Sequence, residues 1–118
     1  MYEANKKNVD FYWVYTKEAH ASDGRRPSRT VKIATHKTLE DRKESAVSCI
    51  AAIDLKIPLL VDDMKDSVGN AFYGHPDRLF ILSPGGTIAY RGDKGPHGFD
   101  VDEMKTALAK IMSAKKSE

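Results

Sequence analysis

The chain has 118 residues, 41% hydrophobic and 31% charged, with a formal net charge of +2. That length suits one domain, 1–118, with a modest stability margin, and so mild a charge gives no footprint for a nucleic-acid partner. No stretch has the apolar length of a membrane span, no signal peptide is evident, and a lone cysteine, Cys49, excludes an internal disulfide. A cytosolic setting is therefore the default expectation.

Met1 to Asn8 lacks strand alternation and suits the last turns of a helix. Val9 to Tyr15 (VDFYWVY) is dense in β-branched and aromatic residues, the composition of a strand buried on both faces. A polar connection then runs from Lys17 to Thr35, with TVKIA at 30–34 as a short strand-like piece. Thr38 and Asp41 have the spacing of a capping box, opening a helix whose apolar side runs through Ala46, Cys49, Ile50 and Ile53. It must stop before Pro58. IPLLV (57–61) reads as the next strand, and Asp62–Asp63 mark its exit. Asp66 is placed to cap a brief helix through Val68, Ala71 and Phe72, with Gly74 as its terminator.

Residues 79–82 and 87–90 are strands joined by SPGG, the pattern of a hairpin. Asp100 with Glu103 caps a last helix whose Val101, Met104, Leu108 and Ile111 share one face, and the tail SAKKSE is expected to fray. The order strand, helix, strand, short helix, hairpin, helix predicts an α/β fold with a mixed sheet, parallel early and antiparallel late.

Chemistry gathers where the first strand ends. Tyr15, Glu18 and His20 emerge there, and His36 precedes the next helix. In parallel sheets ligands collect outside the carboxyl ends of the strands, and a histidine beside a carboxylate can pass a proton near neutral pH. On spacing alone the favoured role is plainer, with His20 and Asp23 tying down the long loop. A zinc reading of Glu18, His20 and His36 matches no standard ligand spacing. The acids Asp62, Asp63 and Asp66 lack the pattern of a calcium loop. No bound metal or cofactor is expected. His75-Pro76 before a strand can be cis and can border a site. RGDKGPHG (91–98) brings backbone and the cations Arg91 and Lys94 within reach of an anionic group. Cys49 reads as a small core residue.

Together the segments VDFYWVYTKEAHASDG, HKTLEDR, LLVDDMKDSVGNAFYGHPDRLFIL and GTIAYRGDKGPHGFDVDEM resemble the iodothyronine deiodinase family, from about Val9 to the last helix. The combination EAHxSDG, HxxLEDR and GxKGPxGF carries the resemblance. It implies an incomplete thioredoxin-like fold and an enzyme that takes iodine from a small aromatic substrate at the expense of a thiol reductant. By the same resemblance Glu18, His20 and His36 are catalytic, and Tyr15, His20, Lys94 and Pro76 bind substrate. Ser22 and Asp23 shape the loop. Arg25 and the divergent loop 25–35 depart from the family pattern and bear on hormone selectivity. A peroxiredoxin-like thiol peroxidase and a non-catalytic binding module are the rival readings, and homodimerisation stays open.

The family's selenocysteine or cysteine nucleophile follows the first core strand, and no residue here occupies that position. The sequence is therefore expected to begin after it, as it would if a UGA codon upstream had been taken for a stop, and to show no turnover as it stands. Capturing iodine needs a soft ionised chalcogen, which neither His20 nor Glu18 supplies, and Cys49 is not at the nucleophile's place. Loss of a central strand and its helix is expected to expose an apolar patch.

Overall fold

Strands of only three or four residues form two separate two-stranded sheets in the computed structural model, which describes residues 1–29, 32–54 and 56–116. In chain order the elements are α1 (Tyr2–Asn5), β1 (Trp13–Tyr15), α2 (Leu39–Ile53), β2 (Leu59–Val61), α3 (Ser67–Ala71), β3 (Phe80–Leu82), β4 (Ile88–Arg91) and α4 (Val101–Lys116). They divide into two compact units, Met1–Phe72 and Tyr73–Glu118.

In the first unit β1 pairs parallel with β2, setting Trp13 opposite Leu59, Val14 opposite Leu60 and Tyr15 opposite Val61. A parallel pair needs a crossover, and α2 is part of it. The helix starts where the sequence signals it. Thr38 Oγ1 accepts from the Asp41 amide at 3.1 Å, and Asp41 Oδ2 accepts from the Thr38 amide at 3.3 Å, a complete capping box. It ends at Asp54, which takes a left-handed conformation (φ 50°) ahead of Pro58. The inward stripe of α2 is Arg42 and Ala46, both buried, continuing into half-buried Ser45, Cys49 and Ile50. Ile53, expected on that stripe, is exposed.

Helix α2 packs on β2, and the side chains of Tyr15, Leu59 and Val61 are half-buried. Val14 and Leu60, paired on the other face, are exposed. The strand expected to be buried on both faces is thus covered on one only, and Tyr12 and Trp13 are exposed as well. Aromatic density marks a residue run that can be buried; burial itself needs a second covering layer. Of the strand-like piece at 30–34, residues 30 and 31 lie outside the described residues, and 32–34 are not strand.

The second unit is a hairpin under a helix. SPGG closes it: the Ser83 amide donates to the Thr87 carbonyl and the Gly86 amide to the Ser83 carbonyl, both at 2.8 Å. Gly86 sits at φ 89°, a conformation glycine adopts without a Cβ clash. β3 and β4 pair antiparallel with a register irregularity between Ile81 and Leu82. Helix α4, capped by the Asp100 carboxylate on the Glu103 amide at 3.0 Å, packs on both strands. Ile81 and Leu108 are buried, whereas Leu82 and Ile88 are about half exposed. One expectation is corrected here: Val101 points away from the covered face, being 45% exposed. Of the tail 113–118, Ser113–Lys116 belong to the helix and 117–118 lie outside the described residues.

Among the described residues the buried apolar set is only Ala21, Ala46, Ile81 and Leu108. Each sheet has one face under a helix and one carrying exposed apolar side chains. A mixed α/β chain with short parallel and antiparallel pairs of this kind is an incomplete thioredoxin-like fold.

Candidate active site

The first unit gathers three of the residues marked by sequence. Tyr15, the last residue of β1, donates its hydroxyl proton to Glu18 Oε1. Burial, then this bond to Glu18, pushes the phenol's pKa up, against a smaller opposing pull from the Ser45 hydroxyl. Tyr15 therefore stays a protonated donor across the physiological range. Its ring lies 5.7 Å from that of His36, tilted by 48°. His36 is only 7% exposed. Its Nδ1 accepts from Arg42 Nε at 3.1 Å, and its buried Nε2 has no hydrogen-bond partner among the described residues. Burial foremost, and Arg42 second, hold the imidazole's pKa below its ordinary value of 6.5, with Glu18, Asp41 and Asp66 pulling the other way.

Arg42 organises this cluster, and residue-by-residue reading of the sequence missed it. It is 3% exposed. Besides His36, its guanidinium reaches the Asp63 carbonyl at 2.6 Å, Asp66 Oδ1 at 3.0 Å and the Asp62 carbonyl at 3.4 Å. The signal was present. Arg42 stands four residues before Ala46 and seven before Cys49, on the helix stripe that turns inward.

The acids serve this frame. The Asp62 carboxylate, on a residue 2% exposed, accepts from the Val68 amide at 3.0 Å and the Gly69 amide at 2.9 Å. A Cβ on Gly69 would lie 3.3 Å from Asp62 Oδ2, so glycine allows this close approach. Asp62 thus does the work expected of Asp66. Asp66 holds the N-cap position of α3 at φ 56°, makes no side-chain cap bond, and turns its carboxylate to Arg42. Asp63 accepts from the Ser67 hydroxyl at 2.6 Å and the Ser67 amide at 3.0 Å, which lowers its pKa. Nor does Gly74 end α3. Phe72 is its C-cap, and Tyr73 takes the left-handed conformation at φ 49°.

His20 sits apart from the buried cluster, exposed on the loop after β1. Its Nδ1 donates to the Arg26 carbonyl at 2.9 Å, and its own carbonyl accepts from the Ser28 amide at 3.0 Å. These two bonds tie the loop, as spacing alone suggested, and its neighbours add to them. Asp23 Oδ1 accepts from the Thr35 amide at 2.8 Å and the Thr35 hydroxyl at 2.9 Å, bonds that hold its carboxyl below the usual range. The Ser22 amide donates to the Ile33 carbonyl at 2.8 Å.

Lys94 and Pro76 belong to the second unit. The exposed Lys94 ammonium stands 5.7 Å from the centroid of the Tyr73 ring, a cation–π arrangement. The His75–Pro76 peptide is cis. Arg78 ties the loops around them, with Nε donating to the Gly92 carbonyl at 2.6 Å and a terminal nitrogen to the Tyr73 carbonyl at 3.3 Å.

Chemically, the first unit offers a protonated phenol, a carboxylate acceptor, a buried neutral imidazole and an exposed one. That set can hold a polar substrate group and exchange a proton. Residues 1–112 match the family model described as iodothyronine deiodinase. The thyroxine 5-deiodinase of Ovis aries is 36% identical over 104 residues, covering 87% of this chain and 35% of the relative. Those of Rattus norvegicus and Homo sapiens are each 36% identical over 107 residues, covering 87% of this chain and 34% of the relative. The chain thus spans about a third of the length of the relatives it matches.

Proposed function

Because the chain belongs to the iodothyronine deiodinase family, we propose that Tyr15, Glu18, His20 and His36 form the substrate-holding and proton-handling wall of a deiodinase-like oxidoreductase. Its reaction is reductive removal of iodine from an iodothyronine-type aromatic ring, with a thiol as reductant. Replacing a C–I bond by C–H needs an ionised chalcogen to take the iodine and a proton for the ring carbon. The residues of this chain serve the second need. Glu18 holds the Tyr15 hydroxyl, the Tyr15 ring lies against that of His36, and His20 presents an accessible imidazole on the loop that carries Glu18. In the second unit, taken by itself, family membership supports Lys94, an exposed cation 5.7 Å from the Tyr73 ring centroid, and Pro76 as substrate-binding residues.

The observation that carries this reading is the contact chain from Glu18 through Tyr15 to His36, which joins residues separated by up to 21 positions in sequence. Cys49 lies half-buried on α2 and is not assigned the role of nucleophile. In this reading the chain by itself binds an iodothyronine and does not release iodide. Trp13, two residues before Tyr15 and the one tryptophan in the sequence, gives the readout. Saturable quenching of its fluorescence by an iodothyronine, weakened in His20→Ala, supports the proposal; no quenching by the wild-type chain contradicts it.

A further inference from the structure

We propose that the two histidines of the first unit are held in opposite tautomers, His36 presenting a proton at Nε2 and His20 a lone pair at Nε2, with Arg42 as the positioning residue that fixes His36. Each half of this follows from what the partner atom can do. A guanidinium only donates, so His36 Nδ1, 3.1 Å from Arg42 Nε, must accept. The neutral ring then carries its proton on Nε2. A doubly protonated ring would set one N–H against another and place a second cation beside Arg42. A carbonyl oxygen only accepts, so His20 Nδ1, 2.9 Å from the Arg26 carbonyl, must donate. In the neutral ring Nε2 of His20 is left with its lone pair.

The surroundings keep His36 neutral. Arg42 and Asp41 face it from α2, Tyr15 and Glu18 from β1 and the loop after it, and Asp66 from the start of α3. The ring is 7% exposed, and burial outweighs the three carboxylates. Arg42 is itself fixed by the Asp62 and Asp63 carbonyls and the Asp66 carboxylate, so its Nε cannot turn away without breaking three other bonds.

The division of labour follows, and this part rests on the function proposed above. His36 holds an acceptor atom by its buried Nε2–H without changing protonation, as no imidazolate forms near neutral pH. His20, exposed and with a lone pair at Nε2, presents an accessible acceptor atom.

The test is a long-range proton–nitrogen correlation spectrum of the four histidines of the ¹⁵N-labelled full chain at neutral pH. The expected pattern is an unprotonated Nδ1 and protonated Nε2 for His36, and the reverse for His20. The same tautomer for both rings, or an averaged mixture for His36, overturns the proposal. In Arg42→Gln, His36 should drift to a mixture while His20 is unchanged. Asp66→Asn, which leaves the Nε donor in place, should keep the His36 tautomer. A His36 tautomer that survives in folded Arg42→Gln, or is lost in Asp66→Asn, removes Arg42 from the positioning role. The wild-type spectrum decides the tautomers even if Arg42→Gln does not fold. Failure of the chain to bind an iodothyronine would contradict the functional proposal and leave the tautomers standing.

Discussion

Arg42 donates its Nε proton to Nδ1 of His36 across 3.1 Å, and the two residues are 3% and 7% exposed. One buried cation thereby joins the helix that covers the sheet to the histidine beneath it and to the start of α3. Arg42→Met removes the charge but strands its acceptors, leaving His36 Nδ1, two carbonyls and the Asp66 carboxylate unpaired. Breaking a buried pair from one side costs roughly 3–5 kcal/mol, and urea denaturation should show a loss near the lower end. Asp66 is 25% exposed, so Asp66→Asn should cost less, about 1 kcal/mol or below.

Acid should unfold the chain in two stages. The folded His36 titrates below 6.5, so the unfolded state binds the proton first as the pH falls. Stability is complete above about 6.5 and is lost as pH falls through that value toward the lower folded pKa. Asp23 and Asp63 are also depressed, from 3.8, so their contribution holds above that value and is lost below it. Thermal melts between neutral pH and strong acid should show both steps, and His36→Gln should abolish the first alone.

At the alkaline end Tyr90 gives a separate mark. Burial, then its bond to Glu103 Oε1 at 2.8 Å, pushes the phenol from 10.0 up to about 12. A raised pKa favours the folded state below 10.0, and that contribution is lost as pH rises through about 12. Ultraviolet titration should show late ionisation by two phenols, of which Tyr90→Phe removes one and leaves that of Tyr15, while Glu103→Gln moves the Tyr90 phase to lower pH.

The capping box is the simplest point to test. Thr38→Ala deletes the side-chain acceptor for the Asp41 amide and should cost about 1 kcal/mol by urea denaturation. Thr38→Ser keeps the oxygen and should recover most of it.

The contrast between Thr38 and Arg42 shows what sequence can carry. The capping box, the SPGG turn and the Asp100 cap are local, each formed within about four residues, so residue identity and spacing suffice to read them. The four acceptors of Arg42 include atoms 20 to 24 positions away, two of them backbone carbonyls that carry no residue signature. A charged residue on a helix reads as surface until something fixes where the stripe turns inward. Asp62 and Asp66 exchanged roles for a related reason. The left-handed turn at Asp66 aims its carboxylate at Arg42 and leaves the first amides of α3 to Asp62. The first strand misled in another way. VDFYWVY has the side chains of a doubly buried strand, but α2 covers one face and Val14 and Leu60 stay open on the other. Tyr15, Glu18 and His36 were legible as candidates; their convergence depended on α2 setting His36 beside the end of β1.

The most direct test of the proposed pocket is equilibrium binding of thyroxine to the full chain, read by Trp13 fluorescence, for wild type, His20→Ala and Glu18→Gln. Losing one hydrogen bond of this kind costs about 1–2 kcal/mol, so each variant should bind on the order of 5- to 30-fold more weakly than wild type. Thyroxine that fails to bind saturably, or binds wild type and both variants alike, would contradict the assignment of this wall to an iodothyronine substrate.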